Sequence, residues 1–208
     1  MASPKTSMLR HLWAIVPHIS WQDGSMTHVD PAALPMPEVR AALAHHGIVH
    51  EVLPCPDELS DTAAFCAHHN VPLSQAANTI VVTSRKTEPA VQAVCVVLGS
   101  TRLDVNRKVR ELLGAKRASF ADAELTTRLT GMQIGGVTPF GLPSTEAGTL
   151  PVYVDSAVLE QDHIVMGGGN RTSKLRLVPG ELRKLPAVVL IEGLATPAPA
   201  PAASRPLP

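Results

Sequence analysis

The chain has 208 residues, 45% hydrophobic but only 3% aromatic, with 18 Lys and Arg against 18 Asp and Glu. That length allows one domain of roughly 150 to 170 residues plus ends, enough to bury a core without disulfides or a structural metal. Zero formal net charge, with three Phe, one Tyr and two Trp, excludes a general polyanion binder and an aromatic platform for single strands.

Residues 1–35 hold no sustained hydrophobic period and carry Pro17, Pro31 and Pro35, so they read as an N-terminal extension. Pro37 then opens a short helix through Glu38–His46, with Gly47 just past its end. A strand over Ile48–Leu53 and a helix over Asp61–His69 follow. Thr79–Thr83 and Val91–Leu98 are β-branched runs split by the turn-like Lys86-Thr87-Glu88-Pro89, which predicts an adjacent central hairpin.

Asp104 is placed to cap the next helix, where Val105, Val109, Leu112 and Leu113 form one apolar stripe. Asp122 caps another short helix that stops at Gly131. Strands are expected over 152–155, 163–166, 174–178 and 187–191. Strands come in runs rather than strict strand–helix alternation, which predicts a mixed α/β fold around a curved mixed sheet or partial barrel of six to eight strands. Residues 36–194 read as the domain, and the Pro/Ala-rich residues 195–208 as a disordered tail.

Chemistry concentrates in two glycine-rich segments. The first, Gly131-Met132-Gln133-Ile134-Gly135-Gly136-Val137-Thr138-Pro139-Phe140-Gly141, fits no regular element. Its glycines let backbone N–H groups converge on an anion or a developing oxyanion, and a long surface loop is the plainer reading. It is neither a Walker loop nor a dinucleotide-binding turn. The second, Gly167-Gly168-Gly169-Asn170-Arg171, is either a close-approach site with Arg171 facing a phosphate or a hairpin turn. Asp155, at a strand end, either orients a substrate or caps the next turn.

Other chemistry is poorly supported. The pairs His45-His46 and His68-His69 point apart on a helix and match no metal spacing. Cys55, Cys66 and Cys95 lack CxxC spacing, so neither a zinc site nor a disulfide framework is expected. There is no GxSxG elbow for a serine hydrolase. No stretch approaches the roughly 18 apolar residues of a membrane span, and the N-terminal apolar run is broken by Pro17 without a cleavage site, so no membrane partner and a cytoplasmic location are expected. Arg102, Arg107, Lys108, Arg110, Lys116 and Arg117 cluster within 102–117, as a local basic surface or as solvated faces.

The order of Ala77-Asn78-Thr79-Ile80-Val81-Val82, Val97-Leu98-Gly99, the basic helix after Leu103-Asp104, the loop above, Leu150-Pro151-Val152-Tyr153-Val154-Asp155 and the Met166–Arg171 turn resembles the YbaK/prolyl-tRNA synthetase-associated editing family. The likeness spans about Pro37 to Leu194, and Gly135–Gly141 is its most specific part. It implies hydrolysis of an aminoacyl-tRNA ester, without metal or other cofactor, by water assisted by backbone amides and the substrate's ribose hydroxyl. Its partners would be the aminoacylated 3′ end of tRNA and a synthetase.

On that resemblance Gly135, Gly136 and Asn78 hold the catalytic positions, with Thr138, Asp155, Gly168, Gly169, Arg171 and Lys174 around the substrate. Asn78 stands where the family's deacylases carry lysine, and Arg171 and Lys174 are the cations nearest in kind. A trans-acting deacylase is the first function implied. A non-catalytic tRNA- or synthetase-binding module that keeps the fold is the alternative, and a small-molecule hydrolase is a third.

Overall fold

The computed structural model describes residues 20–22, 25–27, 33–59, 61–145 and 148–198. They fall into two compact units, one within 1–32 and one within 33–208. In the first, β1 (Ser20–Gln22) pairs antiparallel with β2 (Ser25–Thr27). The rest of the predicted extension lies outside the described residues, except Ala33–Pro35, which belong to the second unit.

The second unit opens with α1 (Pro37–His45), β3 (Glu51–Pro54) and α2 (Thr62–His68). The two β-branched runs then form the predicted hairpin, β4 (Ala77–Arg85) antiparallel to β5 (Gln92–Leu98), in register from Ala77↔Leu98 to Thr83↔Gln92. Next come β6 (Thr101–Leu103) and the segment capped by Asp104, whose carboxylate accepts from the Arg107 N–H at 3.1 Å. That segment is a π turn over Val105–Val109 running into α3 (Arg110–Leu112), which still buries Val105 and Val109 as expected.

β7 (Arg117–Phe120) and α4 (Ala123–Thr130), capped by Asp122 on the Leu125 N–H, complete the first half. The short hairpin β8 (Ser144–Thr145) and β9 (Gly148–Thr149) leads to β10 (Val152–Asp155), β11 (Ile164–Gly167), β12 (Ser173–Leu177), β13 (Val188–Ile191) and β14 (Ala195–Pro197).

The main sheet has the order β13-β10-β5-β4-β7. β5, β10 and β13 run parallel, and β4 is antiparallel to both β5 and β7. A second sheet, β11-β12-β3, is antiparallel throughout and meets the first at a bridge between Ala76 and Val165. The fold is thus mixed α/β with separate sheets and short helices, and the sheets do not close into a barrel. The sequence signal missed β6 and β7, whose Thr101–Leu103 and Arg117–Phe120 lack a β-branched run. Ala195–Pro197, expected in the tail, instead pair with β6 as β14. Residues 199–208 lie outside the described residues.

Both faces of the central strand β5 are covered. Val94 and Val96 of β5 pack into one apolar cluster with Val81, Val154 and Met166, while Cys95 and Val97 pack into another with Val82, Val109 and Leu194. Successive strand residues point to opposite faces, so a strand buried on both sides must be apolar throughout. Each fully buried Val contributes on the order of 1.5–3 kcal/mol.

Candidate active site

Strand β4 is only half covered on its outer edge. β7 pairs with Val82–Arg85, and the Ala121 N–H to Val81 O bond at 2.9 Å ends that contact. From there back to the bridge at Ala76, no described strand pairs with this side of β4. A cleft of about 500 Å³ opens here, with Asn78, Thr79 and Ile80 of β4 in its wall. The opposing wall comes from α2, β11 and the loop segment 134–137.

Helix α2 is fixed to this edge from its first turn. Asp61 caps it by accepting from the N–H groups of Ala63 and Ala64, at 2.9 and 3.1 Å. Thr62 Oγ1 then donates to Asn78 Oδ1 at 3.3 Å, so Asn78 faces the helix N-terminus. Phe65 and Cys66, one turn on, turn their buried side chains into the cleft. The Thr79 hydroxyl, also in the wall, is buried and has no hydrogen-bond partner.

The buried charged group of the cleft is Lys174. In β12, Leu175 and Leu177 enter the main core, which puts Lys174 on the opposite face, above Phe65. It is only 7% exposed, and its Nζ donates to the Gly135 carbonyl at 2.7 Å. Among the described residues it forms no ion pair with a carboxylate. Burial holds its pKa below the ordinary lysine value; Arg171 adds to that effect, and the Cys55 and Cys66 thiols oppose it. Burial in turn pushes the Cys66 thiol up, partly offset by Lys174.

The two glycine-rich segments meet backbone to backbone. Gly136 donates to Gln133 O at 2.9 Å, and its carbonyl accepts from the Gly169 N–H at 2.8 Å. A Cβ on Gly136 would lie 2.3 Å from Asn170 O, and one on Gly167 would lie 2.3 Å from Gly136 O. No side chain fits there, which is why both segments need glycine. Gly135, with φ +93°, is left at the cleft wall with its carbonyl tied to Lys174.

The structure therefore sorts the residues singled out in the sequence. Asn78, Gly135, Arg171 and Lys174 line one cleft. Gly136 and Gly169 instead bond each other, and Gly168 exchanges backbone hydrogen bonds with Ser173 and Met36. Thr138 is fully buried within the loop, and its hydroxyl has no partner among the described residues. Asp155 sits at the end of β10, where its carboxylate accepts from the Ala157 N–H at 2.9 Å and the Ala195 N–H at 2.7 Å. Of its two readings, the cap is the geometry observed. Sequence reasoning missed Phe65, Cys66, Val165 and Met166 as cleft residues, because an apolar stripe on a helix or strand reads as core, whereas Gly167 reads as part of a close-approach turn.

Among the described residues, no three His, Cys, Asp or Glu side chains gather to hold a metal ion, and no helix is long and apolar enough to cross a membrane. The model of the aminoacyl-tRNA editing domain family matches residues 57–185. This chain belongs to that family.

The editing-domain fold is shared with solved structures. A candidate trans-editing enzyme for prolyl tRNA synthetase is 25% identical, with a TM-score of 0.65 over 79% of this chain and 97% of its own. A hypothetical protein is 26% identical, with a TM-score of 0.64 over 74% of this chain and 97% of its own. The uncharacterized protein YwhH of Bacillus subtilis (strain 168) is 34% identical over 87 residues, or 42% of this chain. That match spans about half, 52%, of the length of YwhH.

Proposed function

We propose that this editing domain, residues 36–194, is a trans-acting deacylase that hydrolyses the ester joining a mischarged amino acid to the 3′ end of tRNA. One observation carries the reading: a single cleft brings the apolar side chains of Phe65, Val165 and Met166 together with a glycine-rich loop and a buried cation. The apolar side chains suit an amino-acid side chain, and the polar groups beside them suit an ester and the terminal nucleotide. A synthetase pocket separates amino acids differing by one methylene by only about 1–3 kcal/mol, which is why a second, hydrolytic sieve is needed.

The chemistry favours water as nucleophile. Cys66 is the one thiol in the cleft wall, and burial keeps it protonated and inert. Among the described residues, no histidine stands in the wall to act as base. An aminoacyl ester is reactive enough that polarising its carbonyl and placing a water beside the ribose hydroxyl suffices. Asn78, held by Thr62, and Arg171 would orient the terminal nucleotide. Gly136 would act through the packing that sets Gly135. A tRNA substrate places the reaction in the cytoplasm, alongside the synthetase that made the error.

A second reading, a tRNA- or synthetase-binding module without hydrolysis, draws support from Gly136, whose N–H is taken by Gln133 O and so is withdrawn from an oxyanion. Incubation with a panel of misacylated tRNAs, following ester loss, tests both. Release of amino acid from at least one tRNA is expected. Retention of tRNA with every ester intact would favour the binding module.

A further inference from the structure

Burying a lysine with no carboxylate partner costs several kcal/mol unless something in the site compensates. Lys174 is that case. The one acidic side chain in the cleft wall, Asp61, has its carboxylate turned to the first turn of α2. The groups around the Lys174 ammonium are otherwise the Phe65 ring, the Cys55 and Cys66 thiols, Arg171 and the Gly135 carbonyl. That carbonyl takes one of the three ammonium hydrogens and none of its charge. The remaining donors look for an electron-rich oxygen, and the cleft is where one would arrive.

We infer that Lys174 is a catalytic residue, the donor to the ester carbonyl oxygen of the bound aminoacyl group. The inference rests on the deacylase reading. Water adds its oxygen to the carbonyl carbon, and the carbonyl electron pair moves onto the oxygen that Lys174 holds. Collapse of this tetrahedral species breaks the bond to the ribose oxygen, which takes the proton given up by the water. Free amino acid and a tRNA 3′-terminal hydroxyl result. Lys174 begins and ends protonated, so it stabilises charge and transfers no proton.

The hydrogen bond to Gly135 gives this role its geometry. It fixes the ammonium against the glycine-rich loop instead of leaving it on a flexible stem, and a preorganised donor is the kind that lowers a barrier. Activity then requires the charged form. The depressed pKa brings its loss below the ordinary lysine range of about 10.4, so kcat/KM of the free enzyme falls as pH rises through it.

The test uses the full chain, the misacylated tRNA that it cleaves best, and Lys174→Met with Lys174→Gln as second variant. Both variants are expected to fold, since a buried unpaired charge is removed. kcat should fall about 100-fold or more, as for loss of an oxyanion donor, with KM within about threefold and the alkaline limb of the pH profile gone. Full turnover in either folded variant, or persistence of the limb, overturns the assignment while leaving the deacylase reading intact. Loss of folding in both would make Lys174 structural and overturn it too. If the wild type cleaves no ester, the reading beneath it fails instead.

Discussion

Gly136 and Asn170 pack main chain against main chain: a Cβ on Gly136 would stand 2.3 Å from the Asn170 carbonyl oxygen and 2.9 Å from its Cα. The obstacle is backbone on both sides, so neither segment yields cheaply. Gly136→Ala is therefore expected to destabilise the fold by about 1–3 kcal/mol or more, the usual cost of overpacking. At about 2–4 °C per kcal/mol for a domain this size, Tm falls by several degrees. It should also lower ester turnover, because the shift displaces Gly135. Calorimetry beside a turnover assay checks this, and an unchanged Tm would contradict the packing account.

Asp155 ties two distant backbone groups, the N–H of Ala157 just after β10 and that of Ala195 at the start of β14. Asp155→Ala leaves two donors without an acceptor in a place that is 5% exposed. A loss of about 1–3 kcal/mol is expected, read as a lower urea midpoint. Amide exchange at Ala195 should accelerate more than exchange in β5. Asp155→Asn, which keeps one acceptor, should fall between the two.

Glu181 accepts from Lys184 Nζ at 2.7 Å and from the Val49 N–H at 2.6 Å, and the first of these contributes most to holding its pKa below the ordinary carboxylate value. A depressed folded pKa means the unfolded chain binds the proton more readily. The stabilisation is therefore present above the ordinary Glu value and is lost as pH falls through the folded one. Wild type should exceed Glu181→Gln in Tm at neutral pH, and the gap should close in acid. A gap independent of pH would show that the carboxylate charge contributes nothing.

Burial pushes the Cys95 thiol up to about 12, at the centre of the main sheet. Only the thiolate reacts readily, so Cys95 should resist alkylation at pH 9 in the folded protein and react once denatured. Mass spectrometry of iodoacetamide-treated samples reads this directly. Rapid native labelling of Cys95 would mean that β5 opens far more often than its packing implies.

The framework was legible because local signals agreed. Asp104 and Asp122 cap the segments they were placed to cap, and the β-branched runs around Lys86–Pro89 pair as a hairpin. The cleft was half legible. Gly135 and Arg171 stood out within the two glycine-rich segments, while Asn78 and Lys174 came forward only through the family resemblance. Phe65, Cys66 and Met166 did neither, because an apolar side chain facing a cavity and one facing a core share the same pattern. The roles of Gly136, Gly168 and Gly169 were hidden for another reason. Their neighbours are far away in sequence, and a need for no side chain says nothing about what comes close.

β7 stops at Phe120, and after one further backbone bond at Ala121 the Asp122 cap turns the chain into α4. Had the strand continued in the same register, three more residues would have reached Thr79 and five would have reached Ala77, closing the opening with ordinary sheet. The length of the unpaired edge is thus set by the Asp122 cap, which lies outside the cleft wall. Insertions or deletions between Phe120 and Asp122 would widen or narrow the recess without altering any residue in its wall. Relatives that differ in what they admit could differ there first.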